Sequence, residues 1–449
     1  MTVTADDIAA LVLKHYDALP AKRKPVVRGN GLREWVPLAG IVAQGKDDEL
    51  WCLSLTTGMK CLPTLKISQA QGNILHDWHA EVLAIRAFNR FVLDECKVLA
   101  EGGFSEYLRW RTPLGQQQDE AWHAQPFTWK QDITLHMYCS EAPCGDASME
   151  LIMASQEDAT PWDLPPATLP NTDPNTASTL STLPGRAYFS HLGIVRRKPS
   201  RPDAPATLSK SCSDKLAQKQ CTSLLASTTS LLVDPSHVYI HTLILPKSRY
   251  SESACRRAFS SEGRMRSLTH PSHNDEKRGG YTFRPFTVET TTLEFEFSQR
   301  SVAGPADSSS DDKSIDEQEN RTQTLVKIAP SNISAAWTRT QPSEATLGGV
   351  LQGRKQSAAD DKGASFASRR RMWEIAVEVA DVLPFLPKGK LEDEGVKGIR
   401  RALRSETYGG IKDSVLLEPR RKAKEEARVE ALKGWVRNLG DESFTLKST

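Results

Sequence analysis

The stretch on which the reading turns is "DWHAEVLAIRAF", residues 77–88. Its apolar pattern runs on to about Leu99 and predicts an amphipathic helix. At the start of that helix His79 and Glu81 stand two residues apart. Inside a helix, residues i and i+2 point to opposite sides. The first residues of a helix differ, because there side chains splay around the end and converge on the space in front of it. From such a start His79 can bind a metal through an imidazole nitrogen, while Glu81 stays unligated and carries protons beside a bound water.

A second helix start of the same kind follows the predicted strand "DITLHMYCS" (132–140), at "EAPCGDASMELIMAS" (141–155). A cysteine at a helix N-terminus feels the positive end of the helix dipole, and its thiolate, the form that ligates zinc, is favoured. Zinc nucleobase deaminases combine His/Cys/Cys zinc, an activated water and a non-ligand Glu, with the pattern H-x-E followed by P-C-x-x-C. Here Ala147 stands where the second cysteine of that pair belongs, so a third ligand comes from elsewhere. Cys139, Cys212 and Cys221 are the candidates. Cys139 sits in a strand and Cys221 in an apolar helix, so both read as core. Cys212, in "KSCSDK" (210–215), lies at a helix start after a loop, like the other two ligands. Taken singly each signal is bland: a helix-start coincidence, a turn, a buried thiol. Structural zinc usually takes four protein ligands, and three with a free Glu leave an open position.

Outward from these motifs, residues 5–19 predict a helix with Ile8, Leu11, Val12 and Tyr16 on one face. "WVPLAGIVAQ" (35–44) and "ELWCLSLTTG" (49–58) predict strands joined by "GKDD". "SHVYIHTLILP" (236–246) predicts another strand, and "YTFRPFTVETTTLEFEFS" (281–298) two more. From about Trp373 the chain reads as helical and rich in Lys and Arg. Residues 156–187 and 301–323 are polar, aperiodic inserts expected to be mobile. This order predicts an α/β layered fold. A hydrophobic fraction of 39% and a charged fraction of 25% suit a soluble globular chain. The net charge of +2 means that any nucleic-acid-binding face must be made locally. Eight cysteines without close regular spacing argue against a secreted disulfide scaffold. The N-terminus lacks a signal peptide's pattern, and no apolar run reaches the roughly 18 residues of a membrane span. An intracellular chain, in cytoplasm or nucleus and without a membrane partner, is expected.

"HAE" (79–81), "APCGD" (142–146) and "SKSCSDK" (209–215), in this order and spacing, resemble the RNA adenosine deaminase family, which includes tRNA-specific and double-stranded-RNA-editing branches. The resemblance extends to "TGMKC" (57–61), "RPF" (284–286), "GRKQ" (353–356) and "GW" (434–435), and so covers nearly all of the chain outside the inserts. It implies a cytidine-deaminase-like mixed β-sheet with flanking helices, elaborated by a helical C-terminal part, over residues 1–449 as one domain. It implies zinc on His79, Cys144 and Cys212, with Glu81 moving protons as hydroxide attacks C6 of adenine and inosine forms. The target base must be flipped out or lie in an open loop.

Lys60, Arg86, Lys215, Lys355, Lys412, Arg420, Arg421 and Lys424, read alone, form a solvated surface. The resemblance implies instead that Lys60, Arg86, Lys215, Tyr408, Lys412, Arg421, Lys424 and Trp435 enclose inositol hexakisphosphate, with Asp77 linking that shell to the active site. Buried cations are costly unless paired, and a polyphosphate is a suitable partner. The chain departs from the family at Arg420–Arg421, where Tyr-Gln is common. In "RRKPSRPDAP" (196–205), Arg197, Lys198 and Arg201 are expected at the pocket mouth on RNA phosphates, the plain alternative being a basic linker. Arg256, Arg257, Arg264 and Arg266 are expected to extend that RNA-facing surface, with strongly salt-dependent affinity. Only about 50 residues precede the first family element, too few for a separate double-stranded-RNA module. The resemblance therefore favours the tRNA branch and, within it, position 37 beside the anticodon of alanine tRNA; no DNA partner is expected. The alternatives are editing of other structured or double-stranded RNA, and a non-catalytic RNA-binding protein, against which an intact Glu81 argues.

Overall fold

Pro37 splits the first expected strand. Arg33–Trp35 pairs with Ile328–Pro330 in a separate two-stranded ribbon, and β1, Leu38–Gln44, begins only after the proline, which has no N–H to offer a ladder. The structure is a computed structural model that describes residues 2–111, 125–155, 183–184, 191–198, 204–269, 279–304, 327–356, 361–383 and 390–446. Of the two expected inserts, all but residues 183–184 and 301–304 lie outside the described residues.

β1 turns through Gly45–Glu49 into β2, Leu50–Thr57, as the polar "GKDD" predicts. The other strands of the central sheet are β3 (Thr134–Cys139), β4 (Ile240–Pro246), β5 (Thr287–Thr291), β6 (Ile333–Thr338), β7 (Glu344–Leu347) and β8 (Val350–Leu351). Their spatial order is β5-β4-β3-β1-β2-β6-β7-β8. The β3–β4 and β4–β5 pairs are parallel and the rest antiparallel, so the sheet is mixed. The second run expected in 281–298 is not a strand. Leu293, Phe295 and Phe297 alternate, but they pack beside Tyr16 without joining a ladder, and the chain enters the short helix Gln299–Ala303.

Alternation along β1 gives each face of the sheet its own core. Ala39, Ile41 and Ala43 meet α2 (Ala80–Ala100) through Ala84, Phe88, Phe91 and Val92. Leu38 and Val42 meet α1 (Ala5–Asp17) through Ile8, Ala9, Val12 and Tyr16. Thr4 caps α1 in a reciprocal box with Asp7. The helical C-terminal part comprises α5 (Arg369–Val382), α6 (Lys390–Leu403), α7 (Tyr408–Asp413) and α8 (Glu418–Glu426); α3 (Cys212–Thr222) and α4 (Glu252–Phe259) precede it. The expected mixed sheet with flanking helices is what the structure has. Among the described residues no helix is long and apolar enough to cross a membrane.

Two features of this architecture place the site. β2 and β3 are both antiparallel to β1, so their C-terminal ends lie at one edge of the sheet. The chain leaves β2 toward α2 and leaves β3 toward Cys144, which brings the two helix starts to the same crevice. The C-terminal segment then straps down the loop before α2. The buried Asp441 carboxylate accepts the Gly72 N–H at 2.9 Å, lies 2.9 Å from His76 Nε2, and pairs with Arg369 at 3.2 Å. Phe444 stacks on Tyr408 three residues further on.

Candidate active site

His79 is the N-cap of α2 and Glu81 lies in its first turn, the placement expected from the motif. Asp77 fixes that start. Its Oδ1 accepts the His79 backbone N–H at 3.0 Å and lies 2.9 Å from Nδ1. With Nδ1 engaged, Nε2 is the nitrogen left for a metal, the usual division of labour in a carboxylate–histidine–metal arrangement. Strand β2 seats the helix: Thr56 Oγ1 donates to Ala80 O at 2.7 Å and Ser54 Oγ to Ala84 O at 3.1 Å.

Cys212 is the first residue of α3, capped by Ser211, whose Oγ accepts the Asp214 N–H at 3.1 Å. Cys144 precedes a 3-10 turn, Asp146–Ser148, that runs into the short helix Met149–Ala154. The two thiol loops touch. The Cys212 N–H donates to Cys144 Sγ at 3.3 Å, and the Ser213 N–H to Cys144 O at 3.0 Å. The Ser213 hydroxyl accepts the Ala147 N–H at 3.0 Å and lies 2.9 Å from Pro143 O. So close an approach demands glycine at 145: its φ is +101°, and a Cβ there would lie 2.3 Å from Ser211 Oγ. Cys212 Sγ lies 3.2 Å from Glu81 Oε2, so carboxylate and thiols converge.

The field at this point suits a bound cation. The hydrogen bond from Cys212, then Lys198 and His79, pull the Cys144 thiol well below the usual range, against burial. Burial, then that neighbouring thiolate, push Cys212 up, so a single negative charge is favoured on the pair. Burial, then Cys144, raise the Glu81 carboxyl. Burial and Lys198 oppose charge on His79, but Cys61 and Asp77 outweigh them and raise its imidazole to about 10. One imidazole, two thiols and a free carboxylate, with Cys212 and Glu81 buried and His79 and Cys144 half-buried, are a donor set that fits zinc with an open position.

Among the described residues, the grouping whose ligand atoms all lie within 4.8 Å of one another is Cys61, Asp77 and His79, not His79 with Cys144 and Cys212. Two cations already hold Asp77: Lys198 Nζ lies 2.9 Å from Oδ2, and Lys215 pairs with the same oxygen. Lys198 also lies 3.2 Å from Cys212 Sγ, so of the two only Lys215 is specific to Asp77. Cys61 was not singled out by sequence reasoning. Its "TGMKC" segment gives no sign that its sulfur lies 3.6 Å from His79 Nδ1.

The segment expected at the pocket mouth divides. Arg197 is half-buried and bridges to Lys210 through the backbone. Lys198 turns inward, buried, with Nζ 3.2 Å from Cys212 Sγ. Arg201 lies outside the described residues. Arg257 and Arg264 also turn inward, onto Asp146, Glu150 and Asp214.

Behind α2 lies a cluster of cations. Burial, then Arg420, Lys424 and Arg86, hold Lys219 well below the usual lysine range. Burial, then Arg420, Arg428, Lys412 and Arg369, do the same to Lys424. Burial lowers Arg86 to about 10. Lys219 and Arg420 donate to carbonyls of residues 222–225, and Arg86 to Ala367 O. Among the described residues no carboxylate pairs with Lys219, Lys424, Arg86 or Arg420. Of the other expected members, Lys412 sits over Tyr408 at 4.8 Å, and Trp435 lies between Lys210 and Arg428. Arg421 donates to Lys412 O and Ser414 O, Lys215 is on Asp77, and Lys60 bonds Asn332. Lys219, Arg369 and Arg428 were missed, because residues so far apart in sequence share no local pattern.

The family model described as "Adenosine-deaminase (editase) domain" matches residues 54–438. The tRNA-specific adenosine deaminase 1 of Schizosaccharomyces pombe is 42% identical over 294 residues, 65% of this chain and 69% of that protein. Its namesake in Saccharomyces cerevisiae is 32% identical over 252 residues, 54% of this chain and 58% of that protein. The one in Drosophila melanogaster is 28% identical over 310 residues, 68% of each. The crevice built by His79, Glu81, Cys144 and Cys212 lies wholly within the matched span, and the chain belongs to the adenosine-deaminase (editase) family.

Proposed function

We propose that this chain hydrolytically deaminates adenosine to inosine in tRNA, with zinc held by His79, Cys144 and Cys212. The carrying observation is that Cys212 lies against both Cys144 and the buried Glu81 carboxylate, with His79 capping the helix whose first turn holds Glu81. Zinc in that setting supplies a Lewis acid that lowers the pKa of a water near neutrality. Glu81 accepts the first water proton and delivers it to ring N1, where inosine keeps it. It then carries the proton of the new C6 hydroxyl to the amine as the C6–N bond breaks and the C6 carbonyl forms, and burial, which raises its carboxyl, makes it able to give protons back. Asp77 holds the His79 ring so that Nδ1 faces away from the metal. Lys198 sits between Asp77 and Cys212 and balances their charge.

The relatives named as tRNA-specific support tRNA as the substrate, and the family resemblance narrows it to A37 of alanine tRNA. Arg197 and Arg201 are assigned to its phosphates, and an intracellular site in cytoplasm or nucleus goes with that substrate. We assign residues 1–449 to one deaminase domain, with α1 covering the second face of the sheet. For the cation cluster we propose inositol hexakisphosphate, with Arg86, Tyr408, Lys412, Lys424 and Trp435 around it; Lys424 and Lys219, buried and without a carboxylate partner among the described residues, are the observation in its favour. The test is inosine mapping in bulk tRNA treated with the purified protein, alongside its zinc and phosphorus content. Inosine at A37 of alanine tRNA is expected. RNA binding without inosine would sink the catalytic reading.

A further inference from the structure

The two cysteine loops share an arrangement that the reaction itself does not explain. Each thiol is followed two residues later by a buried aspartate, Asp146 after Cys144 and Asp214 after Cys212. Each aspartate takes a backbone N–H from the segment 191–198: Gly193 donates to Asp146 Oδ1 at 2.7 Å, and Arg196 to Asp214 Oδ2 at 2.9 Å. Each is then gripped by an arginine from a single helix and turn. Arg257, on α4, places Nε 3.1 Å from Asp146 Oδ1 and donates through Nη2 to Asp146 O at 2.9 Å, while its guanidinium also holds Glu150. Arg264, just after α4, places Nη1 2.6 Å from Asp214 Oδ1.

The two arginines are themselves tied together. The Arg264 N–H donates to Arg257 O at 2.9 Å, because the chain folds back on the end of α4 at Gly263. Only glycine permits that return, since a Cβ at 263 would lie 2.3 Å from Arg257 O. Their side chains are poorly available to an RNA backbone: Arg264 is 4% exposed and Arg257 21%. Exchanging a buried ion pair for apolar groups is often neutral in stability, so these pairs need another reason to exist.

We propose that Arg257 and Arg264 are positioning residues for the metal centre, one braced unit that sets the separation of the Cys144 and Cys212 loops so that both sulfurs reach one ion. The inference rests on the zinc reading above. Outer partners of metal ligands typically change metal affinity about ten- to hundred-fold when removed.

The experiment uses the full chain loaded with zinc or cobalt. It reads the rate of zinc release to a chromophoric chelator and the thiolate-to-cobalt absorption band, with thermal melting followed in parallel. Arg257→Met and Arg264→Met are expected to speed zinc release about ten- to hundred-fold and to weaken or shift the cobalt band. Gly263→Ala, which touches no charged group, should act in the same direction. Arg264→Lys should recover part of the effect, because it keeps the charge on Asp214 but loses the Nε bond to Ala258 O at 3.0 Å. Arg257→Lys should not, because a lysine cannot reproduce a fork that grips two acids and a carbonyl. Wild-type release rates and cobalt spectra in the soluble variants, whatever their melting temperatures, overturn the proposal. A wild-type protein that neither holds nor takes up zinc is a separate result, and it overturns the zinc reading beneath.

Discussion

At the scale of the residue, Glu81 is where chemistry and environment meet. It is buried, it faces Cys212, and its carboxyl is raised by burial and by Cys144. Glu81→Gln keeps the shape and removes the proton carrier, so inosine formation should fall about 10²- to 10⁴-fold with zinc content unchanged. Equal activity in the two proteins would remove Glu81 from the mechanism. The pH dependence follows from the sign of the shift. A carboxyl acts as a base only above its own pKa, and this one lies above its ordinary 4.5. The acid limb of kcat/KM should therefore sit at higher pH than an ordinary glutamate gives, and Glu81→Gln should lose that limb. The helix starts that hold His79, Glu81 and Cys212 were legible in the sequence because such starts announce themselves locally; Cys144 instead precedes a 3-10 turn, and the helix expected there begins only at Met149. The inward turn of Lys198 and the closeness of Cys61 were not, because both depend on contacts between segments far apart in the chain.

Elements show the same divide. The helices were readable from their apolar period, and the β1–β2 hairpin from its polar turn. The edge formed by β6, β7 and β8 was not read at all. Its buried residues include Ala335, Ala336, Ala345, Ser334, Thr338 and Thr346, a small and polar set with little of the bulky branched character that marks a strand. Leu293–Phe297 misled in the opposite way, since alternation marks a face that packs, with or without a ladder partner. The junction of the two thiol loops is the element most sensitive to a single methyl group. Gly145→Ala places a Cβ 2.3 Å from Ser211 Oγ at a positive φ. Strain of about 1–3 kcal/mol is expected. It should appear as a lower urea midpoint together with weaker zinc retention; a midpoint loss with zinc held as in wild type would show the loops to be less closely bound to each other than described.

Across the whole molecule, charge is distributed against intuition: cations gather inside, behind α2. Lys219 and Lys424 are held below their ordinary 10.5 by burial and by each other's neighbours. Over the window between those depressed values and 10.5 the unfolded chain binds more protons than the folded one, so stability should rise with pH there. A polyanion in the cluster restores the folded-state protons and should flatten that slope while raising the melting temperature. Melting curves across pH, with and without inositol hexakisphosphate, measure both effects; slopes unchanged by the ligand would exclude it from the cluster. The C-terminal strap makes a further demand at this scale. Asp441→Ala leaves Arg369 and the Gly72 N–H without their buried partner and should cost about 3 kcal/mol in urea denaturation. The bond from Gly72 to Asp441 spans 369 positions. A ribosome must therefore add 369 residues beyond Gly72 before the loop ahead of His79 can be fastened. A nascent chain, or one cut short by a late frameshift or premature stop, would carry every catalytic side chain and still lack the tether that settles them.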